Sequence, residues 1–307
     1  METRMLLRTR TDLLALAGQY ANDRKVPTNT IMKEILHYEI LYALLQSGAA
    51  AALTFQGGTA LRLCYQGTRY SEDLDFAGGD NFDPRLMAPF AELLQKEIAD
   101  AYGLQIEIKA PKEKPPSDGV NVTRWSAKVH IPQIDPSVPQ NQIINIEVAS
   151  VPAHDADLVS IAANYPHLPA PHRQLIITAE TPNEILADKL LALGARPFLK
   201  ARDIWDIKYL TDRQVAPDMD LIGRKLLDYG WAEDDFKKAL QRKLNQLDDP
   251  VAASAFHKEM SRFVDAGVAA QLRNAALVSG FFRRAKALGS AVLAADLADD
   301  NSPQPRP

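Results

Sequence analysis

Apolar residues recur along residues 5–23 and 28–47 at the three-to-four-residue spacing of a buried helical stripe. In the second segment Ile31, Ile35, Tyr38 and Tyr42 share one face, and Ser47-Gly48 supplies a stop. A short apolar run at 53–56 predicts a strand, and 73–77 predicts the next. Residues 84–102 have the period and length of a long helix ended by Gly103. Segments 104–110, 120–131 and 142–149 alternate or are β-branched, as sheet strands are. A charged, proline-bearing stretch at 111–118 joins the first two, and 132–141, with three prolines, joins the next. From 181 to about 290 the pattern is helical, while 299–307 is polar, proline-rich and expected to be disordered.

The pattern predicts an α+β protein without internal repeats. N-terminal helices and a mixed-sheet core occupy 1–180, a helical lobe 181–292 and a flexible tail 293–307. A chain of 307 residues exceeds what one core usually fills, which agrees with two lobes. Hydrophobic residues make up 46% of it, yet no stretch nears the roughly 18 uninterrupted apolar residues of a membrane span. The mixed charges at the start do not suggest a secretory signal, so a cytoplasmic location is expected. Cys64 is the single cysteine, which excludes an intramolecular disulfide and argues against a cysteine-based zinc site. It is expected to act as a small buried hydrophobe. The six histidines show no ligand spacing.

Chemistry concentrates in Gln56-Gly57-Gly58-Thr59-Ala60-Leu61 and Arg69-Tyr70-Ser71-Glu72-Asp73-Leu74-Asp75-Phe76. Alternate residues of a strand share a face, so Asp73 and Asp75 point the same way about 7 Å apart. Two such carboxylates suit Mg²⁺, which takes one or two carboxylates together with substrate phosphates. The glycines let backbone amides approach a polyphosphate, aided by the N-terminus of the following helix. Taken singly, an Asp-x-Asp pair is more often a solvated turn and a Gly-Gly pair more often serves turn geometry. Glu147 interrupts the apolar run 143–149, so it is either a buried acid needing a partner or an edge-strand acid beside Asn145 facing solvent.

The order Gly-Gly-Thr-Ala-Leu, then Arg-x-Ser-x-Asp-Leu-Asp-Phe, resembles the AbiEii/AbiGii toxin family of the polymerase-β-like nucleotidyltransferase superfamily. The match is close over 56–76 and looser to about 210. Further on, Thr181-Pro182-Asn183-Glu184 reads as a capping box opening a helix that carries Lys189. A lysine on so apolar a helix ordinarily snorkels to solvent. Yet Lys189 through Arg196, then Arg202-Asp203-Ile204-Trp205-Asp206, resembles the family's second signature. A structural pairing of Asp203 with Lys200 or Arg202 is the competing reading.

The resemblance implies an NTP-dependent nucleotidyltransferase using Mg²⁺ or Mn²⁺. In it Asp73, Asp75 and Glu147 hold metal, and Asp73, Asp75, Lys189 and Asp203 are catalytic. Gly57, Gly58, Thr59, Arg69, Ser71, Lys189 and Arg196 hold the nucleotide. It further implies the toxin half of a toxin–antitoxin or phage-defence pair, with a separately encoded antitoxin and a tRNA 3′ end or other RNA as acceptor. An antibiotic-modifying nucleotidyltransferase and a non-catalytic nucleotide-binding module are the alternatives. The former usually carries Gly-Ser where this chain has Gly-Gly-Thr.

The formal charge of −4 argues against a general nucleic-acid coat. Residues 220–290 carry twelve Lys and Arg against nine Asp and Glu, a surplus that ordinary solvated helices also show. Two clusters there, Lys237, Lys238, Arg242 and Lys243, then Arg283, Arg284 and Lys286, are candidates for contacting RNA phosphates.

Overall fold

The computed structural model describes residues 9–109 and 123–297. Residues 5–8 of the first predicted helix, the whole 111–118 connection with residue 110 and residues 120–122 of its flanking predicted strands, and residues 298–307 lie outside the described residues. Helix α1 (Arg10–Arg24) begins at a capping box, in which Thr9 and Asp12 satisfy each other's backbone amides. Helix α2 (Thr28–Gln46) is buried nearly all round rather than along one stripe. Its polar residues are therefore paired. Lys33 Nζ lies 2.9 Å from Glu72, and Glu34 receives Arg62 at 3.0 Å.

The sheet comprises β1 (Thr54–Gln56), β2 (Leu74–Ala77), β3 (Gln105–Lys109), β4 (Arg124–Ile131), β5 (Gln142–Ala149), β6 (Ala156–Ser160) and β7 (Ile176–Glu180), in the order β3-β4-β5-β2-β1-β7-β6. It is mixed, with β2 parallel to β5 and β1 parallel to β7, while the other neighbours are antiparallel. Strands β6 and β7 were not expected from the sequence pattern. Leu74, Phe76, Ile144, Ile146 and Val148 are buried on one face, where Phe76 stacks on Phe55 at 5.1 Å. The period of two then sends Asp75 and Glu147 to the opposite face.

Helix α3 (Gly57–Cys64) follows β1 directly. Cys64 is partly buried, and burial pushes its thiol up to about 12, so it behaves as an apolar filler. The predicted helix at 84–102 forms, but α4 (Ala88–Leu93) passes into a wider turn over Leu94–Asp100. Gly103, at φ +60°, ends it.

After the sheet come α5 (Pro182–Ala195), α6 (Ala201–Asp212), α7 (Met219–Asp228), α8 (Glu233–Gln246), α9 (Ala252–Met260), α10 (Ala266–Gln271) and α11 (Ala275–Ala294). Helix α5 packs on α6, α7 and α8 and also touches α3 and β7, which docks the helices on the strands that carry the site. The packed chain continues past residue 292, because α11 runs to Ala294 and Leu297 is buried. Among the described residues no helix is long and apolar enough to cross a membrane.

Candidate active site

Gly57, at φ +78°, turns the chain sharply at the end of β1. A Cβ there would lie 3.2 Å from Asp75 Oδ2, and one on Gly58 would lie 2.3 Å from Arg69 Nη2. Gly58 is thus demanded by Arg69 packed behind it, while Gly57 is favoured by its positive φ and by the closeness of Asp75.

Asp75 pairs in register with Gln56 on β1 and with Glu147 on β5. Asp73 lies just before β2, and its Oδ1 accepts from the Asn145 backbone N–H at 3.1 Å and from Asn145 Nδ2 at 2.8 Å. Three acids therefore gather on adjacent strands. Glu147 lies on the strand beside Asp75, but it is neither fully buried nor on an edge strand. Its strand is internal to the sheet, and its side chain is 46% exposed, with Arg124 3.9 Å away. Burial, then the charges of Asp73 and Glu147, push the Asp75 carboxyl up to about 6 against the opposing pull of Lys189 and Arg196.

Across from the acids stands α5. Its Thr181 cap holds, accepting from the Glu184 N–H at 3.3 Å, but the reciprocal half of the predicted capping box is absent. The Glu184 carboxylate instead accepts from the backbone amides of His154 and Asp155 and meets Lys225 at 2.7 Å. Lys225 also reaches Glu180 at 3.1 Å and Asp188 at 2.7 Å, joining β7, α5 and α7 beside the site.

Lys189 does not snorkel. Its ammonium is buried between Asp203, at 3.2 Å, and Asp206, at 3.0 Å. Asp206 in turn receives Arg69 through two bonds of 2.7 and 2.6 Å. Burial alone would raise the Asp206 carboxyl, but Arg69 and Lys189 outweigh it and hold the group below its usual value. Helix α5 ends one residue before Arg196, which caps it in an extended conformation and lies 3.2 Å from Asp203. Asp203 thus pairs with Lys189 and Arg196 rather than with Lys200 or Arg202.

Gly57, Gly58, Asp75, Glu147, Lys189 and Arg196 line a common cleft of about 450 Å³. Asp73, Thr59, Arg69, Ser71 and Asp203 do not. Thr59 donates its hydroxyl to the Asp73 carbonyl, Arg69 is locked on Asp206, and Ser71 is buried behind Gly58. Thr59, Arg69 and Ser71 support the site without lining it, while Asp73 is tied to Asn145 on β5 beside it. Arg124, Asp188, Tyr229 and Trp231 also line the cleft and were missed. Nothing local marks them, whereas Asp206, part of the second signature, pairs with Lys189.

Neither His nor Cys is among the described residues that line the cleft, whose acids Asp75, Glu147 and Asp188 offer the oxygen ligands a hard divalent ion takes. Asp75, raised by its burial and then by its acidic neighbours, stands beside Glu147 in the cleft. With one Asp73 oxygen occupied by Asn145, its other oxygen is the one available to an ion. Among the described residues no three His, Cys, Asp or Glu side chains already converge on one point. The residues present therefore fit a divalent ion completed by substrate phosphates rather than a preformed protein cage.

Acids on adjacent strands, a glycine turn and an opposing buried lysine define a nucleotidyltransferase. The chain belongs to the family described as nucleotidyl transferase AbiEii toxin, type IV toxin–antitoxin system, whose model matches residues 39–277. JHP933 from Helicobacter pylori resembles the chain with a TM-score of 0.46 and 17% identity, over 87% of this chain and 93% of that one. A second solved H. pylori structure, of a candidate nucleotidyltransferase, gives 0.43 and 17%, over 85% and 95%. No curated protein matches.

Proposed function

We propose that the chain transfers a nucleotidyl group from an NTP to a hydroxyl of an RNA acceptor, a tRNA 3′ end being the first candidate, with divalent-metal assistance. The observation that carries this reading is the register of Asp75 against Glu147 in a cleft faced by Lys189. Asp75, Glu147 and Asp73 would hold Mg²⁺ or Mn²⁺. The ion, when bound, polarises the α-phosphorus and neutralises the pyrophosphate leaving group.

The chain supplies the rest. The 57–58 turn brings backbone amides at the start of α3 toward the phosphates. Lys189 adds a compact positive charge, held in place by Asp203 and Asp206. Arg196, paired with Asp203 and 44% exposed at the cleft, is placed to meet phosphate oxygens. Arg69 contributes through Asp206 and so acts on Lys189 rather than on the nucleotide.

As a member of its family the chain would serve as the toxin of a pair with a separate antitoxin, in a toxin–antitoxin or phage-defence setting. The test is to incubate the protein with each labelled NTP, total RNA and Mg²⁺, with and without chelator. Label in an RNA species, lost with chelator, is expected. Label confined to small molecules, or indifferent to chelator, contradicts the reading.

A further inference from the structure

A second depression, of about 340 Å³, adjoins the cleft and shares with it Ala195, Arg196 and Trp231. It lies between the α5–α6 connection and α8. Its lining includes Arg196, Arg242 and Lys243, with no acidic side chain among the described residues that form it. Lys243 is occupied, donating to the Pro197 carbonyl at 2.6 Å. Arg242 is exposed and has no ion-pair or hydrogen-bond partner among the described residues. The connection also carries Phe198, 60% exposed, with Lys200 Nζ 4.9 Å from its ring centroid.

A lone exposed phenylalanine needs no explanation. Here, however, it follows in sequence Pro197, which lines a cationic hollow bordered by a second aromatic, Trp231. Proteins that hold single-stranded nucleic acid combine these two elements, cations for the backbone and aromatic faces for unpaired bases. The other basic residues of the lobe are less suited. Lys237, Lys238 and Lys286 are paired with Glu233, Asp235 and Asp248, and Arg283 and Arg284 line neither the cleft nor the depression.

We infer that this depression is the acceptor subsite, taking an unpaired nucleic-acid end whose terminal hydroxyl passes Trp231 and Arg196 into the nucleotide cleft. In this arrangement Arg242 meets a backbone phosphate and Phe198 stacks on an unpaired base. The inference rests on the nucleotidyl-transfer reading for the direction of the strand, but its binding test does not require turnover.

The test is fluorescence anisotropy of a labelled single-stranded oligoribonucleotide, and of its blunt duplex, with wild-type protein, Arg242→Glu and Phe198→Ala. Both positions are exposed, and a thermal melt checks that the variants fold. Binding of a fluorescent NTP is measured alongside. Each variant is expected to weaken single-strand binding about tenfold. Arg242→Glu alone should flatten the salt dependence by about one counterion. NTP affinity should not change.

No binding of the single strand by wild-type protein overturns the inference. So does single-strand affinity within twofold of wild type in both variants, or a loss confined to the duplex. Sensitive RNA binding without any nucleotide transfer would remove the transferase reading and leave the subsite. Transfer to RNA with insensitive binding would do the reverse.

Discussion

Asp75 and Glu147 are register partners in the parallel pairing of β2 with β5, so two carboxylates from chain segments 72 residues apart stand side by side in one cleft. Burial first, then the charges of Asp73 and Glu147, raise the Asp75 carboxyl, which is the cost of holding these acids together. The protein keeps this arrangement on a rigid sheet and places Lys189 opposite.

The first consequence is a pH-dependent stability. A carboxyl raised to about 6 when folded retains its proton after the unfolded chain, with an ordinary value near 4, has lost it. Stability should therefore fall as pH rises between those values, and the loss is complete above the folded one. Asp75→Asn removes this decline. Metal-free melts across this range should show the variant gaining on wild type, reaching roughly 3 kcal/mol near neutral pH. Parallel curves would show that Asp75 carries no such strain.

Lys189 joins structure to chemistry. Replacing it with alanine leaves Asp203 and Asp206 short of a partner and should cost about 3–5 kcal/mol. Transfer should also fall by at least about 10²-fold, because the phosphates lose a positioned charge. Lys189→Arg should restore stability better than transfer, since a planar fork does not replace a compact ammonium. Equal recovery of both would mean that Lys189 only pairs its acids.

Arg69 predicts a different signature. It is buried on Asp206 and absent from the cleft lining, so Arg69→Ala should lower the melting temperature sharply. NTP affinity of the protein that remains folded should stay close to wild type. An affinity loss without destabilisation would put Arg69 in direct contact with the nucleotide.

The two glycines should separate as well. Gly58→Ala drives a methyl into Arg69, which is locked and cannot yield, so a large loss of folded protein is expected. Gly57→Ala costs only about 1 kcal/mol of backbone strain but crowds Asp75 Oδ2. It should fold and transfer poorly. Expression and melting of both variants, followed by transfer assays, check the order.

The α+β class, the helices and the carboxylate motif were legible because each is local. A strand's period places Asp75, and the spacing from Lys189 to Asp203 survives as a direct pair. What escaped the sequence is long-range. Helix α2 is buried on every side because polar positions such as Glu34 find partners elsewhere, which no stripe of apolar residues can announce. Glu184 looks like a capping-box acid, yet Lys225 and two backbone amides claim it from other segments. Arg69, Thr59 and Ser71 carry phosphate-binding chemistry in their side chains, and only packing shows that they pack beside the cleft rather than line it. Trp231 lies in a turn 156 residues beyond Asp75, and tertiary folding alone brings it there.

The central claim, that the Asp75 site transfers nucleotide, is tested most directly by the rate at which labelled NTP modifies RNA with wild-type protein and Asp75→Asn side by side. The account predicts Mg²⁺-dependent labelling by wild type and loss of essentially all of it in the variant, which melts no lower than wild type. Near-normal labelling by a folded Asp75→Asn protein would contradict it.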